Sequence, residues 1–336
     1  MKKTLIIAAS ILCVLLIAYF SGPKFPKPVL SPDLPAITIQ TKDIEGYIKN
    51  MESSFRIKPD NESRIKWAND SLKNKTHYCL LYLHGFSASW YEGEPVHADF
   101  ARRYGMNLYI PRLASHGIDV PEPLIDMTPD RLYESAKTAL VIAHLLGEKV
   151  ILMSTSTGGT LSLKLAAEFS ALIDGLILFS PNVAINNPVA FLLSKPWGLQ
   201  MARAAYNGNY RVTNTDKASE DCRYWNCRYR VESVVYLQQL VEATMTKETF
   251  SKVKIPVFLG YYYKDDQHQD QVVKVDAMLK MFEQLGTPGN LKQKIAFPDA
   301  GSHPIASKLF SKAWKDVEKA SFTFAEEKLG LVAVDK

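Results

Sequence analysis

An apolar run that ends in small residues and turns straight into a helix constrains this chain more than any other feature. Residues 151–169 read ILMSTSTGGTLSLKLAAEF, with Ser156 at the centre and Leu161, Leu165, Ala166 and Phe169 at helical spacing behind it. A serine on so tight a strand-to-helix turn is pushed out of the sheet on strained backbone. The turn closes only if the residues two before and two after it are small. Around Ser156 these are Ser154 and Gly158, and Gly159 gives the helix room to pack. Around Ser154 one of them would be Leu152, which would clash. The S-x-S-x-G pattern therefore selects Ser156 as the candidate nucleophile. A Gly/Ser-rich turn of this kind could also hold a phosphate at the helix N-terminus, although the Gly-Lys-Ser/Thr ending of a P-loop is missing.

A serine nucleophile needs a base to take its proton, an acid to orient that base, and donors for the oxyanion. The base candidate is His303, in the Gly-containing stretch FPDAGSHPIAS, which follows a candidate strand ending at Phe297. His77 and His144 sit at ordinary strand and helix positions. The donor candidates are the backbone amides of Phe86, in the loop HGFSAS after the apolar strand CLLYL, and of Thr157, directly after the nucleophile. Gly85 lets the first of these loops turn tightly. For the acid, the run KDDQHQDQVV offers Asp265, Asp266 and Asp270. Asp270 heads the helical stretch VVKVDAMLKMFEQL and is preferred, with Asp265, at the strand end, as the alternative.

The order Ser156, Asp270, His303, downstream of a His-Gly loop, resembles the α/β-hydrolase family over most of residues 75–325. The chain is similar in particular to the monoacylglycerol lipase, carboxylesterase and lysophospholipase-like branch. MNLYIPRLASHGI, residues 106–118, resembles that branch's P-x-L-x-G-H-G loop, with Ser115 in place of a glycine. The resemblance implies that His116 shapes this loop and is not the base. It also implies a mostly parallel central sheet with helices on both faces, a cap inserted after the sixth strand, and a serine hydrolase of carboxylic esters. A serine peptidase, a thioesterase, an acyltransferase or a catalytically silent lipid- or partner-binding module could share the scaffold.

Alternation of apolar strands and helices points independently to a parallel sheet covered on both faces. Strands are expected near 77–83, 106–110, 149–153, 174–179, 255–262 and 291–297. Helices are expected near 95–104, 130–146, 158–170, 272–285 and 304–328. The hydrolase core should then run over 41–180 and 253–330, with a cap over 181–252. That insertion is rich in aromatics and arginines, and Phe191, Leu192, Leu193 and Trp197 suggest an apolar substrate portion.

At the N-terminus, Met-Lys-Lys precedes an uncharged, mostly apolar run from Thr4 to Phe20. With no small-residue cleavage site behind it, residues 1–21 read as an uncleaved signal anchor, or alternatively as a cleaved signal peptide. Residues 22–40 would link it to an exported periplasmic or extracellular catalytic domain. Cys222 and Cys227, close together in the cap, are expected to pair as a disulfide in an oxidising compartment; a zinc site lacks a second ligand pair. A net charge of +5, spread along 336 residues, contains no basic block to bind nucleic acid. No metal or organic cofactor is called for, and oligomeric state is not legible.

Overall fold

Period-two alternation along the buried strands splits the core into two layers, one on each face of a single sheet. The computed structural model describes residues 2–216 and 218–334. Its sheet strands are β1 (Arg64–Lys66), β2 (Thr76–Leu83), β3 (Asn107–Ile110), β4 (Gly147–Thr155) and β5 (Gly175–Phe179), followed after the insertion by β8 (Val257–Tyr261) and β9 (Lys292–Ala296). A separate two-stranded ribbon is formed by β6 (Tyr210–Val212) and β7 (Arg228–Arg230). The sheet order is β1-β3-β2-β4-β5-β8-β9, and every pairing is parallel except β1 with β3.

Cys79, Leu81 and Leu83 of β2, Leu152 of β4 and Leu178 of β5 face one apolar layer. The helices Pro129–Leu146, Thr157–Glu168 and Val275–Gln284 cover it. Leu80, Tyr82, Met153 and Phe179 point the other way, toward helices Val96–Arg103 and Trp314–Lys328. Both faces being buried explains why LIDGLILF reads as a continuous apolar run. Helix Pro129–Leu146 starts as its sequence dictates: the Thr128 side chain accepts the N–H of Arg131, and Pro129 takes the first helical position.

The register decides where the loops leave. Leu83 pairs with Ser154, Thr155 with Phe179, Phe179 with Gly260, and Tyr261 with Ala296. The carboxyl ends of β2, β4, β5, β8 and β9 therefore share one edge of the sheet, where ligands bind in open α/β folds.

Several boundaries differ from the sequence reading. Among the described residues only one short strand precedes β2, so the insertion follows the fifth strand of this sheet and not the sixth. β1 and the helix Ile44–Glu52 gave no apolar signal strong enough to read. The last helix begins at Trp314 and not at 304. Residues 304–311 are instead held by backbone pairing: Ser307 bridges to Pro95, and Lys308 donates to the Glu94 carbonyl.

Residues 22–40 lie extended against the folded domain. Asp130 accepts the N–H groups of Val29 and Leu30, the buried Lys137 donates to the carbonyls of Ser31 and Asp33, and Gln239 donates to that of Pro26. Helix Lys2–Phe20 is solvent-exposed throughout its described side chains and has a mean hydropathy of 2.3, long and apolar enough to cross a membrane.

Candidate active site

Ser156 caps the helix Thr157–Glu168 with φ 54° and ψ −120°, a conformation costly for a non-glycine residue and retained only where the surroundings enforce it. Here they do. The Ser156 N–H donates to the Phe179 carbonyl, and its own carbonyl accepts from Gly159 and Asn182. A Cβ at Gly158 would sit 2.0 Å from the Leu83 carbonyl oxygen, and one at Gly159 would sit 2.6 Å from Pro181 Cβ. The small residues of the motif are thus steric requirements of β2 and of the segment after β5 pressing on the turn.

His303 and Asp270 come together from loops after β9 and β8. His303 Nδ1 lies 2.6 Å from Asp270 Oδ2. With the carboxylate accepting, Nδ1 carries the proton and Nε2 is left as the basic nitrogen. Nε2 is buried and without a hydrogen-bond partner among the described residues. Asp270 is 1% exposed, and its other oxygen accepts the N–H groups of Val272 (2.8 Å) and Val273 (3.1 Å). Burial opposes ionisation of Asp270, yet the His303 charge and these hydrogen bonds hold its carboxyl below the ordinary value. For His303, burial pulls the pKa down, while Asp270 and the nearby Glu92 carboxylate lift it above the ordinary value.

Asp265 is elsewhere in its chemistry: exposed, it accepts from the N–H groups of Gln267 and His268 and pairs with the His268 ring at 2.8 Å. Asp266 accepts from the Tyr263 hydroxyl.

The loop after β2 is clamped by two neutral histidines. His84 Nδ1 donates to the Gly85 carbonyl and Nε2 accepts the N–H of Leu113; burial pushes its pKa down to about 3. His116 Nε2 accepts the N–H of Ser87 and Nδ1 donates to the Ala114 carbonyl; burial pushes its pKa down to about 4. The ring centroids lie 5.0 Å apart. Among the described residues, no protein acceptor takes the N–H of Phe86 or of Thr157. Both residues line a cavity of about 620 Å³ together with Ser156 and His303.

The insertion forms the roof of that cavity. Its apolar lining includes Ile185, Leu192, Leu193, Met201, Leu237 and, from the loop after His303, Phe310. Leu192 and Leu193 thus face the space, whereas Phe191 and Trp197 are exposed outside it. Trp197 Nε1 donates to the Ala18 carbonyl near the end of the N-terminal helix. The Cys222–Cys227 disulfide closes a loop that is pinned to the core. Lys58 Nζ donates to the Cys222 and Trp225 carbonyls, Asn226 donates to the Ser87 carbonyl, and Tyr224 stacks on Tyr91 at 4.1 Å.

One lining residue had no motif to announce it. Glu92, 2% exposed, accepts the N–H of Gly85 and faces the same cavity. Its only sequence signal is an acid soon after the His-Gly loop, which a solvated turn would show equally well.

Residues 80–310 match the alpha/beta hydrolase family, and the chain belongs to it. Among solved structures it is similar to one of the metagenome-derived lipolytic enzymes LipS and LipT (TM-score 0.64, 15% identity, covering 80% of this chain and 98% of the other). It is also similar to the monoacylglycerol lipase of Paleococcus ferrophilus (0.56, 14%, 78% and 96%). A thermostable carboxyl esterase from Bacillus coagulans gives 0.56 at 16% identity, covering 80% and 94%. No curated protein sequence matches significantly.

Proposed function

We propose that the protein is a serine hydrolase of carboxylic esters, working through an acyl-enzyme on Ser156. The observation that carries the reading is the contact between His303 Nδ1 and the buried Asp270 carboxylate, which leaves a buried, unpartnered Nε2 on a histidine that lines the same cavity as Ser156. His303 takes the hydroxyl proton as Ser156 attacks the ester carbonyl, then gives it to the departing alcohol. The N–H groups of Phe86 and Thr157 hold the oxyanion, each such donor being worth about 3–4 kcal/mol in the transition state. Water repeats the sequence in reverse and frees the acid. The lipolytic and esterase neighbours and the apolar cavity wall support an ester with an apolar portion. Turnover of p-nitrophenyl esters of graded chain length, beside aminoacyl amides and acyl thioesters, tests this; the proposal requires esters to be the best substrates and Ser156→Ala to abolish their hydrolysis. Faster turnover of amides or thioesters would reassign the substrate.

The same reading makes Lys2–Phe20 a membrane anchor with the catalytic domain exported, supported by its apolar length and by the disulfide in the cap. Release of the full chain from membranes by an alkaline carbonate wash would contradict the anchor.

A further inference from the structure

Glu92 is a buried carboxylate that the mechanism above does not use, and burying a carboxylate is costly unless something requires it. It sits in the single turn Trp90–Gly93 that follows the His-Gly loop. Three contacts define its surroundings. Its Oε2 accepts the N–H of Gly85, the residue just before the Phe86 amide. A Cβ at Gly85 would meet Glu92 Oε1 at 2.8 Å and Ser156 Cβ at 2.9 Å, so this carboxylate and the proposed nucleophile both press on the same side of Gly85. Glu92 also lines the cavity with His303, and its carboxylate raises the pKa of that ring. His303 therefore has two carboxylates in range: Asp270 bonded to Nδ1, and Glu92 beside the loop that faces it.

We propose that Glu92 is a positioning residue for the esterase reaction: its charge stabilises the imidazolium that His303 becomes, and its bond to the Gly85 N–H fixes the turn that aims the Phe86 amide. The inference rests on the triad reading of Ser156, His303 and Asp270. An imidazolium forms in both half-reactions, so a second anion near the ring lowers both barriers. Toward the oxyanion Glu92 acts by geometry, through its bond to the Gly85 N–H.

Burial lifts the Glu92 pKa to about 7, against the opposing pull of the Gly85 N–H and the His303 charge. The carboxylate therefore changes charge near neutrality. The titratable groups facing it are few. From β2 comes the Tyr82 hydroxyl, held protonated by burial. His97, packed against the same turn through the Trp90 carbonyl, is kept neutral by burial, with its pKa pushed down to about 3. His84, in the loop, is likewise neutral. His303 is the one partner whose protonation changes in the reaction, with Asp270 behind it.

The test compares full-length wild type, Glu92→Gln and Glu92→Ala with a p-nitrophenyl ester across pH. Glu92→Gln keeps an acceptor for the Gly85 N–H and removes the charge; Glu92→Ala removes both. In Glu92→Gln the acid limb of kcat/KM, set by His303 in the free enzyme, should move to lower pH. kcat at the optimum should fall about tenfold, with KM changing less than about twofold. Glu92→Ala should lose roughly a further tenfold from misdirection of the Phe86 donor. An unshifted acid limb with wild-type kcat in Glu92→Gln overturns the proposal. Should the variants not fold, the downfield Nδ1 proton of His303 in the wild type decides: beside the ring's own ionisation it must report a second one near pH 7, that of Glu92, and a single one overturns the proposal. Fluorophosphonate labelling of wild type separates the two levels. No label on Ser156 removes the triad and Glu92's role together, whereas a labelled enzyme with an unaltered Glu92→Gln profile removes Glu92's role alone.

Discussion

Replacing Glu92 by glutamine should make the protein more stable at alkaline pH while making it a worse enzyme. The carboxyl is 2% exposed, and burial raises its pKa from 4.5 to about 7. Between those values the folded state holds a proton that the unfolded chain has released. The stability Glu92 contributes is therefore intact below about pH 4.5 and is lost as pH rises through 7. A displacement from 4.5 to about 7 corresponds to roughly 3 kcal/mol of folding free energy. Glutamine fills nearly the same volume, keeps an acceptor for the Gly85 N–H and cannot ionise. Urea denaturation of wild type and Glu92→Gln, each at pH 5 and pH 8, reads the effect, because titrating groups that do not interact with Glu92 cancel in the difference between the two proteins, leaving Glu92 and its partner His303. The variant should gain about 2 to 3 kcal/mol relative to wild type on going from pH 5 to pH 8, because part of the loss has already occurred by pH 5. Stability profiles that run parallel across that interval would refute the reasoning, since they would mean that the Glu92 carboxylate ionises as easily inside the protein as outside it.

Asp270→Asn should lower kcat about 10⁴-fold by leaving His303 in the wrong tautomer, whereas Asp265→Asn, on an exposed side chain paired with His268, should change it less than about twofold; steady-state kinetics of both variants on one ester check this, and the reverse ranking would reassign the acid. Reduction of Cys222–Cys227, whose sequence separation is 5, should cost about 2 kcal/mol by the loop-entropy relation. Alkylation followed by mass measurement should find Cys13 and Cys79 free without reductant and two more thiols only after it; four alkylated cysteines in the untreated protein would contradict the pairing.

The parts of the candidate site that could be read from sequence are those whose geometry is carried by immediate neighbours. Ser156 was legible because its conformation demands small residues two positions away, and the structure shows what presses on them: the Leu83 carbonyl at Gly158 and Pro181 at Gly159. Asp270 was legible from its position before an apolar helical stretch, although the helix starts only at Val275 and the intervening N–H groups of Val272 and Val273 are bonded by the carboxylate itself. For His116 the family resemblance implies loop shaping, and its two ring nitrogens are both spent on backbone groups of the loops.

Features made by contacts distant in sequence stayed hidden. PIASKLFSKA has helical composition, yet Ile305 and Ala306 are buried and Ser307 pairs with Pro95, so tertiary pairing outcompetes local preference. The Pro/Lys stretch at 22–40 has the composition of a free linker. Its carbonyls and N–H groups are nonetheless taken up by Lys137, Asp130 and Gln239. Glu92 is the extreme case. Nothing in Trp-Tyr-Glu-Gly-Glu distinguishes a buried acid from a solvated one until β2 and the loop after β9 close around it.

The account stands on Ser156 as a hydroxyl activated by His303. Peptide mapping by mass spectrometry after reaction with a fluorophosphonate tests it most directly, on wild type, Ser156→Ala and His303→Ala in parallel. The expected result is one phosphonyl adduct, on the peptide containing Ser156, absent from Ser156→Ala and formed at least about a thousandfold more slowly in His303→Ala. An adduct on another residue, or undiminished labelling of either variant, would contradict the account.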